Sequence, residues 1–167
     1  MPRKKGGSLG VTCTRQQATD SEIADCGGYR LKLSRRDLQR LAVLRTREAG
    51  ALARTRNQQG AYYLAGYAIE CALKACIAKK TKRHDFPDRA FANRIYTHDL
   101  NLLLKEASLE NALDSDMQNN PALAANWNTV KVWTEESRYK TNGLNGRDLH
   151  LAITGSNGVL PWIMKHW

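Results

Sequence analysis

Hydrophobic residues along this chain recur at helical rather than strand spacing. The longest apolar stretch, residues 60–80 (GAYYLAGYAIECALKACIAKK), contains no proline and carries small or aliphatic residues on almost every side. A helix that is apolar all round is normally buried among other helices. The pattern therefore predicts a central helix here, within an all-α bundle of five or six helices and with almost no strand signal elsewhere.

Steps of three and four residues divide this central helix into two stripes. The apolar stripe, expected in the core, consists of Tyr62, Gly66, Ile69, Leu73 and Ile77. The second stripe consists of Tyr63, Tyr67, Glu70 and Lys74. Because it combines two tyrosines with an acid and a base four residues apart, it predicts either a lined ligand groove or a helix edge at the solvent boundary. A glycine inside a helix also predicts that a neighbouring backbone approaches closely at that point.

The ordered domain is predicted to span residues 34–167, preceded by a basic flexible extension over residues 1–33. Ser34 and Asp37 have the spacing of a capping box, and helical periodicity follows to about Arg56. A short polar break before Gly60 then predicts that this first helix and the central helix form an antiparallel hairpin.

Further helical segments are predicted after the central helix. One begins near Thr97, which is suited to cap it, and a short acidic one covers residues 109–118. Another starts at Pro121 and runs to about Arg138, with Trp127, Val130 and Trp133 packing on the central helix. Residues 148–154 form the next, ended by Gly155, and the apolar terminus 158–167 is expected to dock as a last short helix.

The positive charge of the chain is concentrated in its first part. The net charge is +10, and residues 1–100 hold 20 Lys and Arg against 9 Asp and Glu, whereas residues 101–167 hold 6 against 7. The first helix has an arginine-rich outer side formed by Arg35, Arg36, Arg40, Arg45, Arg47, Arg54 and Arg56. Guanidinium groups bind phosphate well, so this side is either a polyanion surface or only a solubilising face.

Several classes of protein are disfavoured by the composition. No apolar run is long enough to span a bilayer, and no secretory signal follows the basic start, so a cytoplasmic protein without membrane contact is predicted. The four cysteines lack metal-ligand spacing, and Cys71 and Cys76 are expected to be free core thiols. We therefore expect no metal site and no cofactor.

Four sequence stretches together resemble the HEPN family. They are AYYLAGYAIECALKACI, then YTHDLNLLL, then SRY, and finally the apolar terminus GVLPWIMKHW, in the order typical of the family over about residues 34–167. The resemblance implies an up-and-down helical bundle, often a homodimer, in prokaryotic proteins linked to nucleotide or RNA chemistry. It also implies a minimal nucleotidyltransferase-type protein as a partner, as in the toxin–antitoxin couples that some members form.

The ribonuclease branch of that family uses an Arg followed after about four to six residues by a His, and this chain departs from the pattern. Arg94 and His98 have only three residues between them, although they would share a face if the segment were helical. A catalytic pair would therefore consist of His98 with Arg138, or of His98 with Arg94 as the alternative arginine. Simpler roles are open for both: His98 as a helix-start residue bonded to backbone, and Arg138 at a helix C-terminus, paired with Glu70.

Two functions follow as hypotheses. The first is a HEPN-type module that binds nucleotide or RNA, with a candidate ligand groove formed by Tyr63, Tyr67, Glu70, Lys74 and Tyr139. It is expected to work as one half of a toxin–antitoxin or nucleotidyltransferase pair. The alternative is a metal-independent ribonuclease toxin with a non-standard site at His98 and Arg138.

Overall fold

The computed structural model describes residues 33–81 and 93–167, and all regular structure in these ranges is helical. The predicted all-α bundle is thus confirmed, with seven complete α-helices in the described ranges where five or six were predicted. Residues 1–32 of the predicted N-terminal extension lie outside the described part of the chain. The elements are α1 (Arg35–Arg54), α2 (Gln58–Lys80), α3 (Leu100–Glu106), α4 (Glu110–Asn119), α5 (Pro121–Val130), a 3₁₀ helix (Glu135–Tyr139), α6 (Gly146–Thr154) and α7 (Val159–Met164).

Helix α1 begins at the predicted capping box. The Ser34 hydroxyl accepts a hydrogen bond from the Asp37 backbone N–H at 3.2 Å, and the Asp37 carboxylate accepts one from the Ser34 N–H at 3.0 Å. Two backbone donors that the helix leaves without partners are satisfied in this way. The helix ends at Arg54, slightly before the predicted end, because the backbone of Arg56 turns to a φ of 63°.

Helices α1 and α2 form the predicted antiparallel hairpin. Gly60 lies against Leu52 next to the connection, and the guanidinium of Arg45 lies over the ring of Tyr67 further along. At the far end, Arg35 at the start of α1 acts electrostatically on the Cys76 thiol near the end of α2. The end of α1 thus lies beside the start of α2, and the start of α1 lies beside the end of α2, so the two helices are antiparallel.

Helix α2 is the centre of the core, as predicted. It contacts α1, α3, α6, α7 and the 3₁₀ helix. In the apolar stripe, only Tyr62 is not fully buried. The thiols of Cys71 and Cys76 are free and buried, and burial raises the pKa of each to about 11. They are core residues rather than nucleophiles, because the reactive thiolate form is suppressed.

The contact at Gly66 differs from the prediction. Its neighbour is the indole ring of Trp133 rather than another backbone, and a Cβ atom on Gly66 would lie 2.2 Å from Trp133 Cγ. The helix that starts at Pro121 ends at Val130, not at Arg138. The chain leaves the helix there and places Trp133 on α2, after which the 3₁₀ helix begins. Tertiary packing has overridden the helical pattern of the sequence.

The cap of α3 also differs from the prediction. Asp99 rather than Thr97 is the N-cap, and its carboxylate accepts from the N–H groups of Asn101 and Leu102 at 2.8 and 3.2 Å. Thr97 supports the cap by accepting from the Asp99 N–H. The carboxylate satisfies two N-terminal donors at once and complements the helix dipole.

The other helix boundaries agree more closely. Pro121 occupies the first turn of α5, and the side chain of Asn120 caps that helix. Helix α6 starts at Gly146, two residues before the predicted start, and Gly155 follows its last residue as predicted. No helix in residues 33–81 or 93–167 is long and apolar enough to cross a membrane.

The Gly66 contact generates a prediction about stability. Gly66→Ala is expected to lower the free energy of unfolding by about 1–3 kcal/mol, because the added methyl group must displace a buried indole. Gly60→Ala in the same helix is the matched control, since its Cβ would meet only the end of the Leu52 side chain. That control should be neutral or more stable by up to about 1 kcal/mol. Urea unfolding measures both, and equal effects would contradict the packing argument.

Candidate functional site

A buried carboxylate lies at the centre of the polar residues on α2. Glu70 is only 2% exposed. Its Oε1 accepts a hydrogen bond from Lys74 Nζ at 2.8 Å, and its Oε2 lies 2.9 Å from His98 Nδ1. Lys74 is the next residue along the same side of the helix, whereas His98 comes from the loop before α3. A buried carboxylate requires such partners, since removing the charge from water is costly.

The contact with Glu70 fixes the orientation of the His98 ring. An ionised carboxylate can only accept, so Nδ1 of His98 carries the proton and donates it. In the neutral ring, Nε2 is then the free acceptor, and the side chain is 43% exposed. The predicted backbone hydrogen bond of a helix-start residue is therefore wrong, because the partner is a buried carboxylate.

A groove of about 260 Å³ lies beside His98, between the start of α3 and the segment after α5. It contains His98 but none of the other predicted site residues. Its lining residues are Thr97, His98, Asp99, Asn101, Lys131, Val132, Trp133, Thr134 and Glu135.

Arginine and tyrosine side chains form a second group, which we call the Arg–Tyr row: Arg45, Tyr67, Tyr63, Arg138 and Tyr139. The guanidinium of Arg45 lies 5.9 Å from the centroid of the Tyr67 ring. The Tyr67 ring in turn stacks on the Tyr63 ring, with the two centroids 6.1 Å apart and the two planes at 10° to each other. Arg138 lies 4.9 Å over the ring of Tyr139. Polar interactions with Tyr139 and Tyr63 raise the pKa of Arg138, which lies near both rings and so belongs to both halves of the row.

The row is held by the core beneath it. The ring of Tyr63 lies 6.3 Å from that of Trp133, the indole that packs on Gly66. At the other end, Arg45 is fixed by Glu48, which accepts its hydrogen bond at 2.6 Å. Tyr139, by contrast, is 75% exposed. The row therefore combines tyrosines positioned by packing with one ring that is open to solvent.

The predicted site residues are thus brought together in two groups rather than one groove. Glu70, Lys74 and His98 form the buried network, while the three predicted tyrosines join Arg138 in the Arg–Tyr row. The predicted pairing of Arg138 with Glu70 is wrong, because Lys74 and His98 occupy that carboxylate.

The alternative catalytic arginine is engaged elsewhere. Arg94 Nε donates to Glu106 Oε1 at 2.8 Å, which ties the residue to the end of α3. The predicted shared helix face with His98 is not formed, because residues 97–99 are not helical.

Arg45 and Trp133 belong to the site, although no local sequence pattern assigns them to it. Arg45 was one of seven arginines on the first helix, and nothing local distinguishes it from the others. Trp133 was expected in the core, and it is buried, but its role in supporting Tyr63 depends on the chain leaving α5 early. Both assignments depend on contacts between residues far apart in the sequence.

The comparisons with known proteins give no assignment. No protein-family model matches this chain, and neither a curated protein nor a solved structure matches it. Within the described ranges, no cluster of His, Cys, Asp or Glu side chains has the arrangement of a metal site. The candidate function therefore depends on the geometry of this chain and on the family resemblance of its sequence.

The Glu70 network generates a second prediction. Replacing both partners, as Lys74→Met with His98→Phe, should lower the free energy of unfolding by about 3–5 kcal/mol, because the carboxylate stays buried without a cation or donor. Adding Glu70→Leu should recover most of that loss, since an apolar group then fills the same space. Urea unfolding of the double and triple variants measures the difference.

The triple variant contains the same two substitutions as the double variant, so it is also the control for the packing changes that these two substitutions cause. A triple variant less stable than the double variant would contradict the prediction. It would show that Glu70 stabilises the fold through contacts other than those with Lys74 and His98.

Proposed function

We propose that this protein is a HEPN-type helical module that binds single-stranded RNA or a nucleotide through the Arg–Tyr row. The observation that carries the proposal is the arrangement of three tyrosine rings and two guanidinium groups in one row, with Tyr139 open to solvent. The sequence resemblance to the HEPN family supports the same class of ligand.

The chemistry of the row suits unpaired bases. Single-stranded nucleic acids are bound by aromatic rings on which bases stack, combined with cations that contact the phosphates. Tyr139 offers an exposed ring face, and the adjacent Arg138 supplies a planar cation at the same point. The positive charge of the chain favours a polyanion further, so binding should weaken as salt concentration rises.

The resemblance also leads us to propose a homodimer or a complex with a minimal nucleotidyltransferase-type protein. Exposed apolar side chains offer contact area for such an association; they include Leu44, Leu102, Val132, Leu151 and Met164. Light scattering of the purified protein, alone and with a candidate partner, would test this part of the proposal.

The RNA-binding proposal predicts a difference between two equally exposed tyrosines. Tyr139→Ala should raise the Kd for a short single-stranded RNA by about 5- to 150-fold, since a stacked base contributes about 1–3 kcal/mol. Tyr96→Ala is the matched control, because Tyr96 is 77% exposed but lies outside the row. Fluorescence anisotropy at several salt concentrations measures both.

Two outcomes would contradict the RNA-binding proposal. One is an equal loss of affinity in the Tyr139 and Tyr96 variants, which would indicate binding by diffuse charge. The other is the absence of binding by the wild-type protein even at low salt.

A second candidate function, a metal-independent ribonuclease, is favoured by the contact between His98 and Glu70. A histidine whose Nδ1 is held by a buried carboxylate presents Nε2 as a general base. Nε2 could take the proton of a ribose 2′-hydroxyl while the 2′-oxygen attacks phosphorus. The bond between phosphorus and the 5′-oxygen would then break, the 5′-oxygen would take a proton from water, and a 2′,3′-cyclic phosphate would form. Arg138 would stabilise the charge on the phosphate.

The ribonuclease hypothesis predicts cleavage of RNA in the presence of a metal chelator. His98→Ala should lower the rate by about 10²–10⁴-fold, which is the usual contribution of a general base. Arg138→Ala should also lower the rate, and His166→Ala serves as a histidine control outside the site. Cleavage that the chelator abolishes, or RNA left intact by the wild-type protein, would contradict this function.

A further inference from the structure

A second groove, of about 470 Å³, lies between the end of α1 and the start of α6. It is lined by Gly50, Ala53, Arg54, Arg56, Gln58, Arg147, His150 and Leu151. Three of these residues are arginines, one is a histidine, and none is acidic. None of the five residues of the Arg–Tyr row lines it.

The charge of this groove is not neutralised by the residues that the structure describes. Arg54, Arg56 and Arg147 are exposed, and none forms an ion pair with a carboxylate in the described ranges. Arg45, in contrast, is paired with Glu48 on the same helix as Arg54. Three like charges around one groove repel each other, and a bound anion would relieve that repulsion.

The groove is built on elements that are fixed relative to each other. The backbone N–H of Arg147 donates to Gln58 Oε1 at 2.9 Å, which ties the start of α6 to the start of α2. Gly146 beside it packs so closely that a Cβ atom there would lie 2.3 Å from the Gln58 carbonyl oxygen. The position of the Arg147 backbone is therefore set by close packing of α6 on α2.

A glycine on α1 brings His150 into the groove. A Cβ atom on Gly50 would lie 2.8 Å from His150 Nε2 and 3.6 Å from Arg54 Nη1, so only a residue without a side chain leaves room for the imidazole. Burial lowers the pKa of His150, a hydrogen bond to the Thr46 backbone raises it, and nearby Arg54 lowers it. The net lowering favours the neutral ring, so the positive charge of the groove comes chiefly from the three arginines.

Arg56 has a strained backbone. Its φ of 63° lies in the left-handed region, which costs a residue with a Cβ atom about 1–2 kcal/mol relative to the right-handed region. A glycine would adopt the same conformation at little cost. An arginine at this turn therefore lowers stability while adding a cation to the groove, an arrangement typical of functional rather than structural residues.

We propose that this groove binds a polyphosphate group, with Arg54, Arg56 and Arg147 as the cations that contact it. Arginine presents several N–H donors in a planar fork that matches phosphate oxygens, and three of them suit two or three adjacent phosphates. A nucleoside triphosphate and the 5′-triphosphate end of an RNA both carry this chemistry. The site does not depend on RNA binding by the Arg–Tyr row.

The test measures binding of inorganic tripolyphosphate to the full chain by isothermal titration calorimetry at low salt. Arg56→Gly should raise the Kd at least about tenfold through loss of a charge-assisted hydrogen bond. The same substitution should leave the melting temperature unchanged or higher, because it relieves the strained φ. Arg147→Ala should weaken binding to a similar degree.

Arg36→Ala is the control, since Arg36 is an exposed arginine of α1 that does not line the groove. An equal loss in this variant would overturn the proposal, because it would indicate diffuse attraction. Absence of tripolyphosphate binding by the wild-type protein would also overturn it. Tyr139→Ala should leave tripolyphosphate binding unchanged, which separates failure of this site from failure of the Arg–Tyr row.

Two further titrations identify the source of the polyphosphate. Tighter binding of ATP than of tripolyphosphate, lost in Arg56→Gly, assigns the site to a free nucleotide. Tighter binding of 5′-triphosphate RNA than of the same RNA with a 5′-hydroxyl, again lost in Arg56→Gly, assigns it to an RNA end. Either result supports the site, whereas equal binding of both RNAs together with no ATP binding overturns it.

Discussion

The packing of α2 between all of its neighbours is the constraint on which the rest of the structure depends. A side chain on a helix enclosed in this way must be apolar, very small or fully partnered. Gly66 is small enough to accept the indole of Trp133, and the buried Glu70 carboxylate is partnered by Lys74 and His98. These two contacts position the segment after α5 and the loop before α3, which carry the remaining candidate site residues.

The two contacts have different consequences for chemistry. The Trp133 contact is steric, and it gives a fixed base on which Tyr63 lies and from which the Arg–Tyr row extends to solvent. The Glu70 contact is electrostatic, and it selects one tautomer of His98 and leaves its other nitrogen available. The first arrangement suits binding of stacked bases, whereas the second suits proton transfer, and the two lie on neighbouring parts of the same helix.

The arginines of α1 also divide into different environments once the chain is folded. Arg45 is neutralised by Glu48 and lies on an aromatic ring, while Arg54 faces a groove with two further arginines and no acid. A uniform arginine-rich face would attract any polyanion weakly, whereas several guanidinium groups around one groove favour clustered phosphates. The strained backbone of Arg56 marks the same groove.

The sequence by itself determined the all-α class, the capping box at Ser34, the α1–α2 hairpin and the burial of the central helix, because caps and hydrophobic periodicity are local signals. The sequence also indicated most of the candidate site residues. It did not determine their partners: Glu70 with His98, Tyr63 with Trp133, and Arg54 with Arg147 join residues far apart in the chain. Only tertiary packing decided these pairs, because the early end of α5 and the close approach at Gly66 result from the fit between helices, which no local pattern encodes.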